Sequence, residues 1–75
     1  MIEKDAIIFP DYDDALIGST SDGRAVYDYD QIVKITAERD EITEEEAIEY
    51  VEYNVVRSLS YLGPLAPIIA TTDRR

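Results

Sequence analysis

Thr43-Glu44-Glu45-Glu46 spells a capping box, with Thr43 at the N-cap and Glu46 at N3, and the run behind it constrains the fold more than any other segment. Ala47, Ile48, Val51, Val55, Leu59 and Leu62 recur at helical spacing until Gly63-Pro64 stops the pattern. The spacing predicts a single helix of roughly 18 residues, the longest element a chain of 75 can be expected to build around. Its apolar stripe has to be buried, so the remaining residues must supply a facing layer.

A chain this short forms one domain, 1–75, with 71–75 expected as a frayed tail. Such a domain buries only roughly 60–65% of the surface its unfolded chain exposes, so stability is marginal. At 45% hydrophobic residues there is material for one core despite the charge. Cysteine and histidine are both absent, which removes disulfides, thiolate and imidazole metal sites, and Ser-His or Cys-His catalysis. Met1-Ile2-Glu3-Lys4-Asp5 has the wrong charge for a secretory signal, and no stretch approaches the roughly 20 apolar residues of a membrane span. The expected location is the cytoplasm.

Upstream, Asp22-Gly23 lies between two β-prone runs, Ala15–Thr20 and Arg24–Tyr29, and predicts a hairpin. A two-residue turn pairs Thr20 with Ala25, Gly18 with Tyr27 and Leu16 with Tyr29, and lays the Tyr27 ring across Gly18. Ala6–Phe9, closed by Pro10, fits a brief edge strand or a packed arm. Asp30 is the expected N-cap of a first helix from Gln31 to about Asp40. Leu65–Ala70 reads as a last strand entered through Pro67. The order is (β)ββααβ, an α+β fold in which two helices cover one face of a small, mainly antiparallel sheet.

Between Asp40 and Glu52 stand seven carboxylates (Asp40, Glu41, Glu44, Glu45, Glu46, Glu49, Glu52) and no Lys or Arg, in a chain of net charge −10. Any partner is therefore expected to be a basic protein surface, and a bare nucleic acid or an anionic membrane is disfavoured. Glu45, Glu49 and Glu52 fall at i, i+4 and i+7, about 10 Å along one helix face. Solubility alone would explain an acidic face, yet −10 exceeds the magnitude of roughly 2 to 8 that suits a small domain. Carboxylates about 6 Å apart along a helix approximate successive phosphates, so the face suits a Lys/Arg groove built for DNA or RNA.

Three other patterns compete with duller readings. Asp11-Tyr12-Asp13-Asp14 resembles the start of an EF-hand loop, but Leu16 stands at the glycine position and Asp22 at the position of the closing Glu, so a solvated acidic loop is expected. Paired carboxylates could serve hydrolysis, but a core this small leaves little room for a pocket, and no catalytic residue, metal or cofactor is assigned. Six tyrosines against one phenylalanine can close a small core with hydroxyls in water, or form an interface in which rings accept arginines.

Gly23–Val33, Thr43–Tyr50 and Glu52-Tyr53-Asn54, with Asn54 to Arg57, Tyr61 to Gly63 and Pro67-Ile68, resemble a group of short acidic proteins encoded by phages and bacterial mobile elements. The likeness spans roughly residues 12 to 70. It implies a non-enzymatic inhibitor of anti-CRISPR or other anti-defence type, acting in the host bacterial cytoplasm and blocking a nucleic-acid path on a CRISPR effector or similar complex. On that reading the contacts are Asp28, Asp30, Asp40, Glu41, Glu44, Glu45, Glu49, Glu52 and Tyr53, with Glu46 withheld by its capping role. The alternative is a homodimer or assembly module using Tyr50, Tyr53 and the Pro67 edge.

Overall fold

A computed structural model of the chain describes residues 2–71. The order of elements is a 3₁₀ segment at Pro10–Ala15, β1 (Leu16–Ser19), β2 (Ala25–Asp28), α1 (Tyr29–Asp40), α2 (Glu44–Tyr50), helical turns over Val51–Val56 and Arg57–Tyr61, and β3 (Ile68–Ala70). This is an α+β fold. Four residues of the expected tail, 72–75, lie outside the described residues, and Thr71 is exposed.

Among the described residues the strands form one sheet in the order β1-β2-β3. The hairpin pair is antiparallel, but β3 runs parallel to β2, with Val26 beside Ile68 and Asp28 beside Ala70. The sheet is thus mixed, which corrects the mainly antiparallel expectation. Residues 29–67 make a helical crossover between β2 and β3, long enough to return the chain to the end from which β2 began.

The hairpin forms where Asp22-Gly23 places it, in a different register. Ser19 pairs with Ala25, Gly18 with Val26 and Leu16 with Tyr27, with an irregularity between Leu16 and Gly18. The loop is longer than two residues. The Thr20 N–H donates to Arg24 O at 2.8 Å and the Gly23 N–H to Thr20 O at 3.0 Å, leaving Gly23 at φ +87°. A turn followed by a left-handed glycine accounts for the shift, and Val26 rather than Tyr27 faces Gly18.

Tyr27 instead points into the core with Tyr12, Ala15, Ala25, Ile32, Val33, Ala47, Val51 and Val55. Ala6–Phe9 is an arm and not a strand. Its Ile7 N–H donates to Leu65 O at 3.1 Å and its Phe9 N–H to the Tyr27 hydroxyl at 2.8 Å, and the Phe9 ring packs 5.3 Å from that of Tyr27. Pro10–Ala15 is helical rather than a free acidic loop, because Tyr12 and Ala15 are buried while Asp11, Asp13 and Asp14 face outward. The Thr36 hydroxyl donates its single proton to Ile32 O, so the Tyr12 hydroxyl is the donor in the 2.9 Å bond to Thr36 Oγ1.

Helix α1 begins two residues earlier than expected, with Asp28 rather than Asp30 at the N-cap. It ends at Glu41, which adopts the left-handed conformation at φ 54°. The capping box forms as expected: Thr43 Oγ1 accepts from the Glu46 N–H at 3.1 Å, and Glu46 Oε1 accepts from the Thr43 N–H at 3.0 Å. Beyond Tyr50 the rod keeps right-handed dihedrals but changes winding, first to the wider π form over Val51–Val56 and then to 3₁₀. One uniform α-helix to Leu62 is therefore not what forms. The Asn54 side-chain amide donates to Tyr50 O at 3.1 Å, giving that carbonyl a side-chain donor where the wider winding begins.

Candidate partner-binding face

Helices α1 and α2 lie side by side and leave a shallow trough between them, lined among others by Tyr29, Asp30, Lys34, Glu38, Glu44 and Ile48, with a volume of about 630 Å³. Ile48 also borders a second groove of about 630 Å³ formed with Glu49, Glu52, Tyr53 and Arg57. The two hollows share that side chain and so adjoin, reaching from the start of α1 to the π turn.

This surface gathers Asp30, Glu44, Glu49, Glu52 and Tyr53 from the residues expected to bind a partner. Glu45 is exposed but borders neither hollow, and Asp40 and Glu41 sit at the turn between the helices. Asp28 is not available. It is 3% exposed, because the residue that ends central strand β2 and caps α1 is enclosed by both elements. Its assignment as a contact is corrected.

The expected stripe of Glu45, Glu49 and Glu52 does not survive unchanged. From Val51 each residue turns less about the axis, and the Glu52 carboxylate comes to the Tyr29 phenol. Burial first, and then this carboxylate, push the Tyr29 hydroxyl up to about 12. Glu46 is held by Thr43, whose backbone N–H and hydroxyl keep the carboxyl below its ordinary value.

The nearby cations are used mainly for packing. Among the described residues the ion pair within 4 Å is Arg39–Asp40, at 3.1 Å, and the Arg39 guanidinium holds the Asp40 carboxyl below the usual carboxylate range. The same guanidinium lies 5.5 Å from the Tyr12 ring centre and 5.9 Å from that of Tyr50. Arg57 lies 4.8 Å from the centre of the Tyr53 ring. Tyr53 is 68% exposed and Tyr61 82%, so these rings contribute little to the core.

Sequence reasoning missed Tyr29, Lys34 and Glu38 as members of the face. The signal was present, since Asp30, Lys34 and Glu38 recur at i, i+4 and i+8 along α1. Among the described residues no group of three or more acidic side chains is placed to hold a metal ion, the Asp11–Asp14 cluster included. Nor, among them, is any helix long and apolar enough to cross a membrane. No family model matches the chain, and neither the curated proteins nor the solved structures yield a match.

Proposed function

We propose that the protein is a non-enzymatic inhibitor of anti-defence type, which presents the α1/α2 carboxylates to a basic groove and so occupies the path of DNA or RNA. What supports this reading is the pair of adjoining hollows, the first lined by Asp30, Glu38 and Glu44 with Lys34 and the second by Glu49 and Glu52 with Arg57. The scaffold is ordered by the capping box and by the shared core of Ala47, Val51 and Val55. Complementary charge would speed association with a cationic partner and make affinity fall steeply with salt.

The test combines a host pull-down with a nuclease assay on the captured complex. Replacing Glu45→Lys together with Glu49→Lys is expected to abolish inhibition while leaving far-UV circular dichroism unchanged, and wild-type affinity is expected to collapse between about 50 and 500 mM salt. Inhibition that survives both changes removes the acidic face as the contact.

A second reading, self-association, is favoured by the exposure of Tyr50, Tyr53 and Tyr61 along one helical rod. Pro67 is buried and contributes no surface to it. A concentration-dependent sedimentation coefficient that persists in high salt would select this reading over the first.

A further inference from the structure

We infer that the groove around Tyr53 is an arginine-selective subsite, which takes a guanidinium of a basic partner protein in the place that Arg57 now holds. The inference rests on the acidic-inhibitor reading and goes beyond it by naming the side chain received and the ring that receives it.

Tyr53 projects from the π turn and is more than two-thirds exposed, an unusual position for an aromatic ring in a domain short of core. Half-buried Ile48 lines the groove beside it, together with the exposed Glu49 and Glu52. An apolar side chain, a ring face and two carboxylates together match a planar cation that stacks and forms forked hydrogen bonds, and they match the compact ammonium of lysine less well. The structure already seats such a group there. The Arg57 guanidinium lies 4.8 Å from the centre of the Tyr53 ring, yet it makes no ion pair within 4 Å among the described residues, so it is not salt-bridged to Glu49 or Glu52. Arg57 also borders the adjoining hollow with Asn54, Ser58 and Tyr61, which gives its side chain somewhere to swing when displaced.

The probes are tetra-arginine and tetra-lysine peptides of equal charge, titrated by calorimetry at low salt, with the Tyr53 ring resonances followed by NMR. Tetra-arginine is expected to bind about 2- to 5-fold more tightly, the range for an exposed cation–ring contact, and to shift the Tyr53 signals. Tyr53→Leu keeps the apolar bulk and should erase the preference. Arg57→Gln removes the internal competitor and should tighten tetra-arginine binding by a similar factor.

Equal affinity for the two peptides, a preference that persists in Tyr53→Leu, or no binding of either overturns the subsite. Equal but strongly salt-dependent binding does so while leaving the acidic-inhibitor reading intact. Loss of inhibition in a Glu38→Lys and Glu44→Lys protein, altered in the first hollow and not in the subsite, bears on that reading alone.

Discussion

Replacing Gly23 by alanine is expected to be the most damaging single-methyl change in this molecule. At φ +87° the position sits where an L side chain is disfavoured by roughly 1–2 kcal/mol. A Cβ there would also lie 2.7 Å from Glu3 Cβ and 2.9 Å from the Glu3 backbone nitrogen, and backbone cannot yield as a flexible side chain can. The arm would have to lift, breaking the 2.7 Å bond from the Glu3 N–H to Gly23 O, worth about 0.5–1.5 kcal/mol. Together these come to roughly 2–3 kcal/mol, and a domain of this size loses about 4–8 °C in Tm per kcal/mol, so a fall of roughly 10–20 °C is expected. Thermal melting gives the size, and hydrogen exchange at the Glu3 amide reports whether the arm has lifted. Gly23→Asn separates the two causes, because asparagine tolerates the left-handed backbone and keeps only the clash. A fall under about 3 °C in Gly23→Ala, with Glu3 still protected, would refute both the loop geometry and the docked arm.

Two other changes test the helices. Thr43→Ala removes the hydroxyl half of the capping box, leaving the backbone N–H of residue 43 on Glu46, and should cost about 1 kcal/mol, seen as a lower urea midpoint. Because the Glu46 carboxyl is held below its ordinary value of 4.5, first by the Thr43 backbone N–H and then by its hydroxyl, the box stabilises above that pH and its contribution fades as pH falls through the lowered value; Glu46→Gln, which removes the carboxylate, should therefore show a shallower acid loss in parallel urea titrations. Tyr29 should ionise near 12 in an ultraviolet titration. Its raised value means that stability present below about 10 is lost as pH rises toward 12. Glu52→Gln should bring Tyr29 down only part of the way, since burial, the first cause, remains; a full return to the ordinary value would show that the carboxylate alone raises it.

Much of this architecture was legible because local chemistry specified it without help from distant residues. The capping box at Thr43, the stop before Glu41 and the position of the hairpin each depend on a few neighbouring side chains, and each forms. The errors arose where one local pattern fits two geometries. Asp22-Gly23 suits a two-residue turn or the end of a longer loop, and the difference of one residue moves every cross-strand partner. Asp28 and Asp30 are both residues of a type that suits an N-cap, and with the helix starting from Asp28 that residue becomes the buried end of β2 and not a surface contact. The direction of β3 depends on how a 39-residue crossover packs, for which no short motif codes. The winding change at Val51 was hidden because Val51 and Val55 keep the apolar spacing of an ordinary helix, while Asn54, which supplies the Tyr50 carbonyl with a donor, reads only as a polar surface residue.

The placement of the arginines explains how a marginal domain can carry so much uncompensated charge. Arg39 bridges Tyr12 and Tyr50, joining the Pro10–Ala15 segment to the second helix across the end of α1, and Arg57 covers a ring within its own helix. Both lie against rings, and among the described residues the ion pair within 4 Å, Arg39–Asp40, lies outside the two hollows, so neither arginine is paired with the carboxylates that line them. At physiological salt charges are screened over a Debye length of about 8 Å, and within that reach repulsion between neighbouring carboxylates opposes the fold while their combined field attracts a cationic partner. Added salt weakens both effects at once, favouring the folded chain and disfavouring the complex. A loss of binding at high ionic strength can therefore be traced to the contact itself, since unfolding would move in the opposite direction.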